Sequence, residues 1–185
     1  MRLRVERVAL DLFAARGFGN VTSDEVADAA GISRRTFFRY YPTKADAVWG
    51  DFGGHVARLE ELLAAGDHAR PVLAAVCAAY VEVNDYPEAE LPLLRERMRL
   101  VLGEPALLAY SQLRYAEVDR AVARYVAART GCAATDLVPR LVATTTRAAA
   151  TTAFEAWLAV PPSSLTVQLH QAFDEMATGF PSLRR

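Results

Sequence analysis

Between Gly31 and Ala45 the chain carries Arg34, Arg35, Arg39 and Lys44, and no acidic residue interrupts them. If residues 33–40 are helical, Arg34, Arg35, Phe38 and Arg39 project to one side as two i, i+4 pairs. Ile32, Phe37 and Tyr41 then point the other way, where Val8, Leu12 and Val26 offer apolar partners. Ser33, Thr36 and Tyr40 make a hydroxyl row along the edge. Such a face can do one kind of chemistry well. Guanidinium forks make two parallel hydrogen bonds to guanine edges or pair with phosphates. Hydroxyls and helix-end N–H groups hold phosphate oxygens and set the register. A merely solvated basic face is the alternative, and it leaves Phe38 exposed without a purpose.

The elements that must position this face are written in the caps. Val5, Val8, Ala9, Leu12 and Phe13 form the apolar stripe of a first helix, which Gly17 ends. Thr22 and Glu25 stand at capping-box spacing and open a short helix through Ala30. Gly31 makes a turn, Ser33 caps a third helix to about Tyr40, Pro42 stops it, and Thr43 reads as the next cap. Two short helices joined by a glycine turn, with a third before them, match a helix-turn-helix unit. Beyond it, apolar spacings of three and four predict helices over 43–65, 70–84, 91–102, 105–129, 136–159 and 164–178. Pro71, Pro92 and Pro105 suit first turns, and Gly66, Gly103, Gly131 and the pair Pro161 and Pro162 separate the segments. The expected fold is all-α, about nine helices, with a division into residues 1–46 and 47–185. Gly50, Gly53 and Gly54 fall inside the expected helix 43–65, where each interior glycine costs roughly 0.5–1 kcal/mol relative to alanine. They mark either a joint that bends or a close backbone approach.

Composition removes several function classes. Of 185 residues 52% are hydrophobic and 23% charged, which argues for a packed core and against disorder. Two cysteines, Cys77 and Cys132, cannot frame a disulfide scaffold, and His55, His68 and His170 are scattered, so no metal site or cofactor is expected. No apolar run approaches the ~20 residues that span a bilayer, and Glu6 and Asp11 interrupt any signal-peptide core. A cytoplasmic protein without membrane contact is the expectation. The net charge of −1 hides an asymmetry. Residues 1–49 sum to +2 and the rest to −3, so a polyanion partner should meet the head alone. Twenty of the 21 basic residues are arginine, which together with the abundant alanine reflects coding bias rather than function.

The stretch GISRRTFFRYYPTK at 31–44, preceded by VTSDEVA at 21–27 and LFAARGF at 12–18, resembles the signature of the TetR family of transcriptional regulators over residues 3–49. The resemblance implies base-edge contacts from Arg34, Arg35 and Thr36, apolar and backbone contact from Phe38, and phosphate contacts from Thr22, Ser33, Tyr40 and Lys44. Arg39 falls between groove and solvent. Family members carry a polar arm before the first helix, whereas here helix-forming sequence begins almost at Met1, so no arm contact is assigned.

The same resemblance implies a body that dimerises and senses. A single helix-turn-helix makes too few contacts for specific reading, so two copies normally read a palindrome. Residues 141–158 and 164–178 are the candidate interface, with Thr144, Ala148, Thr152, Trp157, Leu169 and Phe173; packing within one chain is the alternative for these stripes. A pocket is expected from Tyr80, Arg95, Met98, Arg99, Leu102, Tyr110, Tyr115 and Phe154. Arg95 and Arg99, one turn apart, either receive a carboxylate or phosphate or pair with Glu90, Glu96 or Glu104. Residues 84–131, together with AVWGDF at 47–52, resemble the regulators associated with mycofactocin biosynthesis operons. The implied function is a ligand-responsive repressor that binds a palindromic operator as a homodimer, its effector an amphiphile such as an acyl-CoA.

Two other function classes compete with this reading. An enzyme needs convergent acid, base or nucleophile groups. The histidines have no neighbouring acid arrangement, and the adjacent acids at 60–61 and 174–175 point to different sides of a helix, so no catalytic residue is assigned. A helical interaction module whose basic head binds an acidic protein is the second, and steep salt dependence of DNA binding separates it from a regulator. Redox sensing through Cys77 lacks a basic neighbour to lower the thiol pKa.

Overall fold

The computed structural model describes residues 1–160 and 162–183; Pro161, one of the expected helix separators, lies outside the described residues. Ten α-helices occur among them: α1 Arg2–Arg16, α2 Ser23–Ala29, α3 Arg34–Tyr40, α4 Lys44–Trp49, α5 Phe52–Ala65, α6 Val72–Val83, α7 Leu91–Gly103, α8 Pro105–Thr130, α9 Leu137–Ala159 and α10 Leu165–Ala177. No strand occurs among the described residues, and the all-α expectation holds.

The caps operate as the residue types require. Gly17 at φ 82° receives the end of α1, and its N–H bonds Phe13 O. Thr22 and Glu25 form a reciprocal capping box, and Thr43 and Asp46 form a second. Ser33 accepts from the Thr36 N–H, satisfying a donor that an isolated helix start leaves bare.

One expectation is corrected. The helix predicted over 43–65 is two helices, because Gly50 takes φ 61° and ψ −132°, a conformation closed to residues with a side chain. Gly53 is different in kind. A methyl group added there meets nothing within 4 Å, so close packing does not explain that glycine. Gly53→Ala is therefore expected to raise stability by about 0.4–1 kcal/mol, through a less free unfolded chain. Thermal denaturation should show an upward shift of a few degrees.

Packing divides the chain into two compact units, Met1–Phe52 with Pro87–Gln112, and Gly53–Tyr86 with Leu113–Arg185. In the first, α1 packs on α2, α4 and α7, α2 on α3, and α4 on α7. Its buried side chains include Val5, Ala9, Leu10, Phe13, Val26, Phe37, Tyr41, Val48, Leu94, Met98 and Val101. A motif-based division at residue 46 follows the helix-turn-helix pattern, while the packing unit also takes in α7, which carries a partner for a carboxylate buried in α1. In the second unit α10 packs on α9 and α6, with Val76, Tyr80, Ala150, Trp157, Leu169 and Phe173 buried.

Two carboxylates lie inside the first unit: Glu6 at 3% and Asp46 at 4% exposure. An ionised group withdrawn from water persists only if partners replace its hydration. Both have them, as described below. Among the described residues no helix is long and apolar enough to cross a membrane.

Candidate nucleic-acid interface

The recognition surface is built on a turn and a cap. Gly31 takes φ 63°, its N–H bonds Asp28 O at 3.0 Å, and the Ile32 N–H bonds Ala27 O at 3.0 Å. This closes α2 and launches α3 across it. Phe37 and Tyr41 are completely or nearly completely buried, and Phe37 stacks edge-on against Phe38 with ring centres 5.4 Å apart. That burial turns the other face outward: Arg34, Arg35 and Arg39 are exposed, Phe38 is 39% exposed, and Thr36 and Tyr40 lie at the margin.

The outward groups are not equally available. Arg35 has no hydrogen-bonding or ionic partner among the described residues. Arg34 Nη1 donates to Asp24 Oδ2 at 2.8 Å, and its guanidinium sits 5.5 Å from the Phe38 ring centre. Both members of that pair are well exposed, so it contributes at most about 1 kcal/mol and a nucleic acid can displace it. Arg39 stacks on Tyr40 at 4.9 Å and donates to its hydroxyl at 3.1 Å. The Ser33 and Thr36 hydroxyls lie 2.9 Å apart.

Two expected phosphate ligands have structural duties. The Thr22 hydroxyl and N–H both donate to Glu25 Oε2, at 2.9 and 2.8 Å. Those bonds, with Arg16 at 2.7 Å, hold the Glu25 carboxyl down to about 2. Because the folded value lies below the ordinary 4.5, this contribution is complete above that pH and disappears as pH falls toward 2. Lys44 turns inward. Its Nζ donates to Phe18 O at 2.7 Å and Val21 O at 2.8 Å, and lies 4.4 Å from the Phe18 ring centre. Two of its three donors thus brace the turn that presents Thr22.

Asp24 was not singled out in the sequence, since its distance from Arg34 in the chain hides their contact. Its carboxylate is exposed beside Arg34 on the outward side. Asp24→Asn is expected to strengthen binding to DNA of any sequence by a few-fold, by removing like-charge repulsion and releasing Arg34. Fluorescence anisotropy with operator and random duplexes at two salt concentrations checks this.

The expected pocket residues divide between the two units. Arg95, Met98, Arg99, Leu102 and Tyr110 belong to the first; Tyr80, Tyr115 and Phe154 belong to the second. On α7, burial and then the neighbouring Arg99 charge make Arg95 harder to keep protonated. In the second unit, Arg147 donates to Asp119 at 2.8 Å and lies 5.5 Å from the Tyr115 ring centre. Burial pushes Tyr115 up to about 12 and Tyr80 upward as well. Burial, with Asp174 nearby, raises the Cys77 thiol to about 11, which removes the thiolate that redox chemistry needs. Among the described residues no group of three or more His, Cys, Asp or Glu is placed to hold a metal ion.

The expected interface residues also divide. Thr144, Ala148 and Thr152 are exposed on α9, continuing a face with Leu137, Val138 and Leu141. Trp157, Leu169 and Phe173 are buried inside the single chain, where α10 covers α9 and Phe173 meets Tyr80 with ring centres 5.7 Å apart. The apolar stripe of an amphipathic helix faces the nearest core first, and for these three that core is intramolecular.

Comparison with known proteins agrees with this architecture. Residues 7–47 match the model of bacterial regulatory proteins of the tetR family, and residues 70–181 match the MftR C-terminal domain. A protein of Mycobacterium tuberculosis named as a mycofactocin biosynthesis transcriptional regulator, MftR, is 42% identical over 181 residues, covering 98% of this chain and 91% of that one. Among solved structures, Thermus thermophilus FadR in complex with lauroyl-CoA aligns with TM-score 0.59 at 23% identity, covering 97% of this chain and 94% of that one. Bacillus subtilis FadR in complex with stearoyl-CoA aligns with TM-score 0.64 at 14% identity, covering 97% and 99%. At those identities the two structures speak for the fold alone.

Proposed function

The chain belongs to the tetR family of bacterial regulatory proteins, and from that premise we propose that it is a ligand-responsive repressor that binds a palindromic operator as a homodimer and controls mycofactocin-related genes. The observation that carries the reading is the acid-free face of α3, with Arg34, Arg35 and Phe38 turned outward by the burial of Phe37 and Tyr41. Paired copies of that face, set about 34–36 Å apart, would enter successive major grooves on one side of a duplex. Base-edge contacts fall to Arg34, Arg35 and Thr36. Ser33 and Tyr40 serve phosphates, and the third donor of Lys44 is available for another. The exposed face of α9 with Thr144, Ala148 and Thr152 is the proposed contact between copies. The effector is an amphiphile, with an acyl-CoA as the first candidate because two structures of the same fold contain one. Tyr80, Tyr115 and Phe154, all in the second unit, are the proposed contacts for its apolar part.

Selection of bound duplexes from a random pool, repeated with lauroyl-CoA present, tests the whole reading. A palindrome should emerge, with affinity falling steeply as salt rises, and lauroyl-CoA should lower recovery. Recovery of no sequence above background, together with retention of acidic proteins, would favour the interaction-module alternative.

A further inference from the structure

The recognition helix α3 spans seven residues, Arg34–Tyr40. Two turns cannot hold their own direction, and reading base edges requires supporting groups that are themselves locked in place. The support lies just past the helix, in residues 41–50. Tyr41, the C-cap, puts its hydroxyl 3.1 Å from Glu6 Oε1. The other oxygen of Glu6 accepts from Arg97 Nη2 of α7 at 2.9 Å. Five residues further along the chain from Tyr41, Asp46 repeats the arrangement. Its Oδ2 accepts from the Thr43 N–H and hydroxyl, both at 2.8 Å, and its Oδ1 accepts from the Tyr110 hydroxyl of α8 at 2.7 Å. Each buried carboxylate thus joins a residue at the exit of α3 to a helix outside the helix-turn-helix.

Gly50 makes room for the first of these bridges. A Cβ built there would stand 2.6 Å from Glu6 Oε2 and 3.0 Å from each terminal nitrogen of Arg97. The ion pair occupies the space that any side chain at position 50 would fill.

We infer that Glu6 and Asp46 are positioning residues for DNA reading, which fasten the exit of the recognition helix to α7 through Arg97 and to α8 through Tyr110. The inference rests on the DNA-binding reading above. Its physical core is the cost of a buried charge without a partner. A shift of α7 that withdraws Arg97 leaves Glu6 desolvated and bound only to Tyr41, so the bridge is either made or broken. The pose of α3 accordingly follows α7 and α8, although neither helix supplies a group to the recognition face.

The test uses the 185-residue chain and the selected operator, with Arg97→Met, Arg97→Lys and Tyr110→Phe. Helicity, thermal midpoint and sedimentation establish that each variant is folded and in the wild-type oligomeric state at the assay temperature. Arg97→Met should lower operator affinity roughly 3- to 30-fold, the range for residues that couple through others. Random-DNA affinity should hardly change, and the salt slope should stay as in wild type, because no phosphate contact is removed. Arg97→Lys should recover part of the loss. An operator affinity equal to wild type in folded Arg97→Met overturns the inference. So does an equal loss on operator and random DNA with a shallower salt slope, which would make Arg97 a direct phosphate ligand. If Arg97→Met does not fold, Tyr110→Phe decides on the same readouts, and unchanged discrimination overturns the inference. Wild-type protein that selects no DNA overturns the functional reading first, a result distinct from any variant effect.

Discussion

Arg35→Ala is expected to reduce operator affinity by about 1–3 kcal/mol, roughly 5- to 150-fold, and to relax base preference at one position of each half-site. Arg35 is exposed on α3 and has no hydrogen-bonding or ionic partner among the described residues, so pairing with a base edge would require it to surrender no other bond. Arg34→Ala should cost less, because binding must first replace the Arg34–Asp24 contact at 2.8 Å. The order of the two effects is the informative part. Competition binding with operators substituted at each position reads both affinity and preference. If both alanine variants bind the operator as the wild type does, α3 does not face the groove.

Trp157→Ala is expected to lower stability by about 3–5 kcal/mol, the usual cost of removing a large buried aromatic. For a chain of this size that corresponds to a fall in thermal midpoint of roughly 6–20 °C. Trp157 is wholly buried within one chain, beside Phe154 with ring centres 6.2 Å apart. Loss of DNA binding in this variant would follow unfolding rather than a failed association. Ala148→Arg supplies the contrast. Its position on the exposed face of α9 should leave the helical spectrum and midpoint close to wild type while sedimentation shifts toward monomer. Operator affinity should fall with it, since a single recognition surface makes too few contacts. A stable, dimeric Ala148→Arg would move the proposed interface elsewhere.

Much of the molecule was legible from the residues, for local reasons. Gly17, Thr22, Ser33, Thr43 and Pro105 act within three or four positions of themselves, so their effect on helix ends needs no tertiary information. The periodicity of α3 likewise separates Phe37 and Tyr41 from Arg34, Arg35 and Phe38, because one apolar stripe leaves only one outward face. Spacing of three and four located the helices beyond residue 70 within a few residues, but merged α4 and α5 into one.

What the sequence could not decide was where distant groups meet. Glu6 looked like an ordinary charge in the first helix, and only the approach of Arg97, 91 positions away, makes its burial tolerable. The family resemblance implies a phosphate contact for Lys44, but in the folded turn two of its donors go to the carbonyls of Phe18 and Val21. Three glycines within five residues fit either a joint that bends or a close backbone approach. The fold gives Gly50 a positive φ against an ion pair, whereas Gly53 faces open space. Trp157, Leu169 and Phe173 have the residue types of an interface, yet the packing of α10 on α9 and α6 buries all three within one chain. Helix ends and outward faces follow from interactions within a turn or two of chain. The buried ion pair, the inward lysine and the choice between core and interface depend on contacts between segments far apart in the sequence, and only the tertiary structure sets those.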